Sequence, residues 1–265
     1  AQYDDVDAFY SIITHLALDG YFDDRGCSPE FLSLLDLVIE QMGQAKTPVG
    51  DTLHFLQGKR GNAYFHRGDF ATAFDAYQAA LTLAPNPTRR AMLLGSLGAV
   101  CSEWGRTDEA TRYFEQGYEL ASAGPDEVAL DHVLIQQSYA AQRRGDYETA
   151  RRAASEAVEL SRQGDNAQRQ GYAQLNLAAA EFNAAVQKVV ITLEAVLELA
   201  QQSNDRNLLA YAHQTLGYAY QAYEKYEEAR THFEKARQLF QELEYWPEAT
   251  QLTNLLQRFG YLPQE

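Results

Sequence analysis

The side chains that could do chemistry are scattered along this sequence. Six histidines occupy positions 15, 54, 66, 132, 213 and 232, and no two are three or four residues apart. That spacing is what places two metal-binding imidazoles on one face of a helix. The two cysteines, Cys27 and Cys101, form no CxxC pair, and no P-loop, GxGxxG or GxSxG motif is present. We therefore predict no metal, no cofactor and no catalytic residues.

One local concentration of positive charge is more informative. It consists of Arg143, Arg144, Arg151 and Arg152, around a predicted turn. Arginine can bind a partner carboxylate with two parallel hydrogen bonds, so this spot could be a docking point. The alternative is a solvated surface that Asp146 and Glu148 partly neutralise.

The overall charge limits the classes of partner. The chain has 265 residues, 22 of them basic and 37 acidic, which gives a net charge of −15. Such a charge argues against binding to nucleic acid or to anionic lipid, and it is compatible with a basic protein partner. The sequence shows no signal peptide and no run of 18 predominantly apolar residues, so we expect a cytoplasmic location.

A repeating pattern of small residues indicates how the chain is organised. Five helix-turn-helix segments align on Gly61, Gly98, Ser138, Ala178 and Gly217, with spacings of 37, 40, 40 and 39 residues. Small residues let two helices cross closely, and we expect Gly61 to face Ala73 and Gly217 to face Ala229. The turns contain Gly68, Gly105 and Gly145, which suit the left-handed conformation that ends a helix.

This pattern resembles the tetratricopeptide repeat (TPR) family, here with long units of about 40 residues. The run 61–70, Gly-Asn-Ala-Tyr-Phe-His-Arg-Gly-Asp-Phe, is close to the usual first half of that repeat. The resemblance implies an all-α fold, a right-handed superhelix of about five repeats. We expect a degenerate helical pair or cap over residues 1–46, the TPR array over 53–245, and a capping helix with a tail over 246–265.

The fourth segment departs from the pattern. Its turn, expected at residues 184–187, has no glycine, and an altered turn is predicted there. The apolar residues Val186, Val189, Val190 and Ile191 then form either a local contact surface or a repacked core.

The resemblance also implies that the first helix of each unit lines a concave groove. Helical spacing assigns to it Phe55, Asn62, Phe65, His66, Met92, Tyr139, Gln142, Arg143, Tyr172, Phe182, Asn183, Tyr211, Gln214 and Tyr218. Aromatic rings and side-chain amides suit an extended peptide or an amphipathic helix. In the alternative interpretation, these aromatic residues pack on one another.

The leading functional hypothesis is a non-catalytic scaffold or adaptor that binds a protein or peptide in this groove. An alternative is a ligand- or peptide-sensing regulatory fragment of a larger signalling or transcription-regulating protein. A homo-oligomer that uses the fourth segment or the termini is a third interpretation.

Overall fold

A computed structural model of the chain describes residues 29–43, 50–124, 126–162, 166–181 and 186–260. Within these ranges the chain forms twelve α-helices and no strand. They are α1 (Pro29–Gly43), α2 (Gly50–His66), α3 (Phe70–Leu83), α4 (Pro87–Glu103), α5 (Thr107–Ser122), α6 (Glu127–Arg143), α7 (Tyr147–Ser161), α8 (Ala167–Ala180), α9 (Val186–Gln202), α10 (Arg206–Ala222), α11 (Tyr226–Glu242) and α12 (Trp246–Arg258). Of the helical pair or cap predicted over residues 1–46, only residues 29–43 lie within the described ranges.

The helices pack as consecutive pairs. The five pairs are α2/α3, α4/α5, α6/α7, α8/α9 and α10/α11, and each also packs against the next. The first helices of neighbouring pairs contact each other from α4 to α6, from α6 to α8 and from α8 to α10. The prediction of an all-helical array of five repeats is therefore confirmed.

Glycine lets the two helices of a pair approach closely, although the neighbour differs from the expected alanine. A Cβ atom added at Gly61, Gly98 or Gly217 would lie within 2.5–2.8 Å of an aromatic ring. These rings belong to Tyr77, Phe114 and Phe233 on the second helices. The glycine thus leaves room for a ring, and the ring fills the helix crossing.

The predicted turn glycines adopt the left-handed conformation. Gly68, Gly105 and Gly145 all have φ of 78°. After two of them an aspartate begins the next helix, since Asp69 Oδ1 accepts from the Thr72 backbone N–H and Asp146 Oδ1 from that of Thr149, both at 3.1 Å. In the fifth pair a glutamate, Glu224, occupies this conformation with φ of 59°.

This difference predicts opposite effects of two substitutions. Gly145→Ala is expected to lower the free energy of unfolding by about 1 kcal/mol, because an alanine strains a left-handed backbone. A Cβ there would contact nothing within 4 Å, so the cost is conformational. Glu224→Gly is expected to raise the free energy by up to about 1 kcal/mol for the converse reason. Urea unfolding of both variants tests this, and effects of the same sign would contradict it.

The fourth pair has a longer connection than the others. Helix α8 ends at Ala180 and α9 begins at Val186, whereas three residues join the helices of the first pair. Residues 182–185 lie outside the described ranges, as does the side chain of Val186. Val189 is buried in the core and Val190 is half-buried, but Ile191 is 64% exposed. Val189 and Val190 therefore belong to a repacked core, and of these three residues Ile191 alone is exposed to solvent.

Helices α1 and α12 complete the array. Leu35 and Met42 of α1 and Leu252 of α12 are buried, while Gln251 and Asn254 are exposed. One hydrophobic cluster contains residues of α1, α2, α10, α11 and α12, so both ends of the array share a core. The division at residues 46, 53 and 245 stays a prediction. None of the described helices is long and apolar enough to cross a membrane.

Candidate functional site

The first helices of the five pairs surround a hollow of about 1770 Å³. Helices α2, α4, α6, α8 and α10 each contribute lining residues, and the beginning of α12 contributes Tyr245, Pro247, Glu248 and Gln251. We call this space the hollow. Its wall combines aromatic rings, side-chain amides and several ion pairs.

Most of the residues predicted for the groove line the hollow. They are Asn62, Phe65, His66, Met92, Tyr139, Gln142, Arg143, Tyr172, Tyr211, Gln214 and Tyr218. Phe182 and Asn183 lie outside the described residues. Phe55 is not among the lining residues. It lies two helical turns before Asn62 and packs against the cluster shared by both ends, with the Lys59 ammonium 5.2 Å from its ring centroid. Whether the lining residues bind a partner stays a prediction.

The two ends of the array meet beside the hollow. The rings of His66 and Tyr245 stack with centroids 3.9 Å apart and planes 5° from parallel. A Cβ at Gly68 would lie 3.5 Å from Pro247 Cγ. Burial lowers the pKa of His66 to about 4, so the ring is neutral near pH 7. The end of α2 and the beginning of α12 therefore bound the hollow together.

Polar contacts join the first helices of successive units. Arg143 Nε donates to Glu103 Oε1 at 3.1 Å, Arg169 Nε to Asp131 Oδ2 at 2.9 Å, Gln168 Nε2 to Asp205 Oδ2 at 2.6 Å, and the Tyr211 hydroxyl to Glu248 Oε1 at 3.0 Å. In each contact the two residues are 37–40 positions apart, so the contacts follow the repeat. They set the spacing of the side chains along the wall.

Asp131 is the most deeply buried carboxylate in this wall. It is 1% exposed, and its Oδ1 atom has no hydrogen-bond partner among the described residues. Burial raises the pKa of the Asp131 carboxyl, although Arg169 acts in the opposite direction. Much of the stability of this charge must therefore come from Arg169.

Two tyrosines lie close to a second carboxylate, Glu248, and a third contacts Gln251 one helical turn farther along α12. Burial and the Glu103 charge raise the pKa of Tyr139, and burial and the Glu248 charge raise that of Tyr211. The third, Tyr218, accepts a hydrogen bond from Gln251 Nε2 at 3.3 Å. These groups come from three helices, α6, α10 and α12.

Sequence reasoning assigned the three tyrosines to the groove and missed the carboxylates beside them. Asp131 and Glu248 each contact a partner one unit away in sequence, so the repeat spacing was the available signal. Asn207, another lining residue, begins α10 and carries no such signal.

Two of the histidines lie next to each other in the described part of the chain. His213 Nδ1 lies 3.0 Å from His232 Nδ1, and burial lowers the pKa of both rings. The thiol of Cys101 is buried, which raises its pKa to about 11. No group of three or more potential metal ligands occurs in the described ranges.

The predicted basic spot is largely engaged within the chain. Arg143 binds Glu103, Arg144 donates to Ser102 Oγ at 3.0 Å, and Arg151 pairs with Glu148. Two of these contacts run from the third unit back to the second, so the arginines join neighbouring repeats.

Comparison with known proteins finds a matching repeat and similar folds. Residues 52–123 match the family model described as tetratricopeptide repeat. No curated protein matches the sequence. Among solved structures, NprR in complex with its cognate peptide NprX is 13% identical, with a TM-score of 0.70 over 98% of this chain and 75% of that one. A Rap protein complexed with competence and sporulation factor is 16% identical, with a TM-score of 0.65 over 86% and 69%.

A third similar structure is part of a much longer chain. It is a STAND (signal transduction ATPase with numerous domains) protein with a tetratricopeptide repeat sensor, from Pyrococcus horikoshii. It is 16% identical with a TM-score of 0.60, and the match covers 84% of this chain but 33% of the ATPase. At these identities the likenesses establish the fold. The five helix pairs therefore have the fold of these structures, and the segment 52–123 resembles the tetratricopeptide repeat itself.

Proposed function

We propose that this chain is a non-catalytic binding protein, a scaffold or adaptor, that holds an extended segment of a protein or peptide partner in the hollow. The observation that carries the proposal is the size of the hollow. At about 1770 Å³ it exceeds the range of about 300–1000 Å³ typical of small-molecule sites. A peptide segment uses such a volume better than a single metabolite does.

The chemistry of the wall also suits a peptide. Tyrosine rings offer large apolar faces at low entropic cost. The side-chain amides of Gln142 and Gln214 make no hydrogen bond to the described residues, and each can both donate to and accept from a peptide backbone. The similar NprR structure contains its cognate peptide and the similar Rap structure contains competence and sporulation factor, which supports the same use of this fold here.

Blocking the hollow tests the proposal. Gln214 lies on α10 in the wall, and Gln214→Trp is expected to reduce the retention of peptides at least about tenfold by occupying their space. The measurement is retention of a pooled library of end-blocked nine-residue peptides on immobilised protein, read by mass spectrometry.

The matched control is Gln201→Trp, because Gln201 is exposed on α9 and is not part of the hollow. This variant is expected to retain the same peptides as the unmodified chain. Circular dichroism melts verify that both variants fold. Equal retention by the two folded variants would refute binding in the hollow.

A second candidate is a peptide- or ligand-sensing region of a longer regulatory protein. It is favoured by the similarity to a STAND protein with a TPR sensor, of which the match covers 33%. The complete reading frame in the source genome tests it. An ATPase or DNA-binding domain in the same frame would support the sensor, and a frame limited to repeats would contradict it.

A further inference from the structure

Buried polar atoms without a partner are concentrated in the residues that line the hollow. Among the described residues, six buried side-chain atoms lack a hydrogen-bond partner. Four of them belong to lining residues: His66 Nδ1, Asp131 Oδ1, Asn207 Oδ1 and Glu248 Oε2. Buried polar groups in folded proteins are nearly always paired, so a concentration at one place points to a ligand. Three of the four are oxygen acceptors, which a ligand rich in donors would satisfy.

Glu248 is the acceptor whose surroundings are most informative. Its Oε1 accepts from the Tyr211 hydroxyl at 3.0 Å, while Oε2 accepts from nothing. The positive charge of Arg143 lowers the pKa of Glu248, but Arg143 already donates two hydrogen bonds to Glu103, at 3.1 and 3.3 Å. Because Glu103 neutralises that arginine, the charge of Glu248 has no counterion of its own in the wall.

Tyrosine side chains of the same wall lie near this carboxylate. The ring of Tyr211 packs edge-on against Phe240 and that of Tyr218 against Phe233, each with centroids 5.0 Å apart, so both orientations are held by buried phenylalanines. The hydroxyl of Tyr139 makes no hydrogen bond to the described residues. A carboxylate and aromatic rings in one wall are the groups that attract ammonium and guanidinium ions.

We propose that Glu248, together with Tyr139, Tyr211 and Tyr218, forms a cation site in the hollow that holds one guanidinium or ammonium group of the bound segment. The inference rests on the proposed function, since the segment brings the cation into the hollow. The cation supplies a counterion to the Glu248 carboxylate. The net charge of −15 also attracts basic segments to the chain.

Peptide pools that differ in one charge test the site. Four end-blocked nine-residue pools have random uncharged residues around a fixed central arginine, citrulline, lysine or norleucine. Citrulline and norleucine keep the approximate shape of arginine and lysine without the charge. The chain is expected to retain the arginine or the lysine pool about tenfold better than its uncharged counterpart, as one charge-assisted hydrogen bond would give.

The variant Glu248→Gln is expected to abolish this preference and to keep the retention of the uncharged pools. Glutamine can still accept from Tyr211, which protects the local structure. The control Glu198→Gln removes an exposed charge on α9 that is not part of the hollow, and it should keep the preference. Both variants are compared as folded proteins, after thermal melts.

The outcomes separate the two proposals. If the unmodified chain retains charged and uncharged pools equally, or if Glu248→Gln keeps the preference, the cation site is refuted and peptide binding stands. Retention of no pool at all would refute both. A preference for arginine over lysine, or the reverse, identifies which cation the site holds.

Discussion

Replacing Arg169 by alanine is expected to lower the free energy of unfolding by about 3 kcal/mol at pH 7. Asp131, its partner, is 1% exposed, and the Arg169 side chain is only 19% exposed. Removing one member of a buried ion pair typically costs about 3–5 kcal/mol, because the other charge stays buried without compensation. We expect the lower end of this range, since Asp131 can take up a proton instead of remaining charged.

The loss should depend on pH in a defined direction. In the variant the pKa of Asp131 rises further above the value of 3.8, because burial raises it and Arg169 no longer lowers it. The folded variant then binds a proton at a pH where the unfolded chain does not. Its stability relative to the unmodified chain therefore recovers as the pH falls from 7 towards 4. Urea unfolding of both proteins at several pH values measures this difference.

A matched control separates the buried pair from the loss of a charge. Arg151 pairs with Glu148 on the surface, with side chains 52% and 75% exposed, so Arg151→Ala should change the free energy by less than about 0.5 kcal/mol. The double variant Asp131→Leu, Arg169→Met should recover most of the stability, since no buried charge remains. Similar losses in Arg169→Ala and Arg151→Ala would contradict the assigned role of the pair.

The helix pairs and their turns could be predicted because their causes are local and recur. A left-handed turn needs a residue such as Gly145, and a close helix crossing needs a small residue such as Gly61. Each requirement appears again one unit later, so the period identifies the fold. The same local reasoning placed Tyr139 and Tyr211 correctly in the wall of the hollow, because residues three, four and seven apart share a helix face.

The meeting of the two ends could not be predicted from these patterns. The contact between His66 and Tyr245 depends on the rotation of each unit relative to the previous one, summed over five units. No local pattern encodes that sum. For the same reason the sequence predicts only a capping helix around Glu248. That helix has an exposed face, but Glu248 in its first turn lines the hollow. Phe55 shows the limit of the helix-face argument. It lies on the same face as Asn62, seven residues earlier, but it packs against the hydrophobic cluster shared by both ends and does not line the hollow.

Adding one methyl group at Gly217 is expected to destabilise the fifth pair. A Cβ there would lie 2.5 Å from two ring carbons of Phe233, a side chain that is 1% exposed and packed against Tyr218. The ring cannot move away without disturbing the wall of the hollow. Overpacking of this kind costs about 1–3 kcal/mol, and we expect Gly217→Ala to lower the free energy of unfolding by that amount.

The sign of this effect is informative because helix propensity acts the other way. Alanine favours a helix over glycine by about 1 kcal/mol, so an uncrowded Gly-to-Ala change should stabilise the protein. Gly58 in α2 provides that control, since a Cβ there would contact nothing within 4 Å. Urea unfolding should therefore give Gly58→Ala a gain of about 0.5–1 kcal/mol and Gly217→Ala a loss. If both variants were stabilised, Phe233 would be free to yield, and the ring over Gly217 would not define the helix crossing.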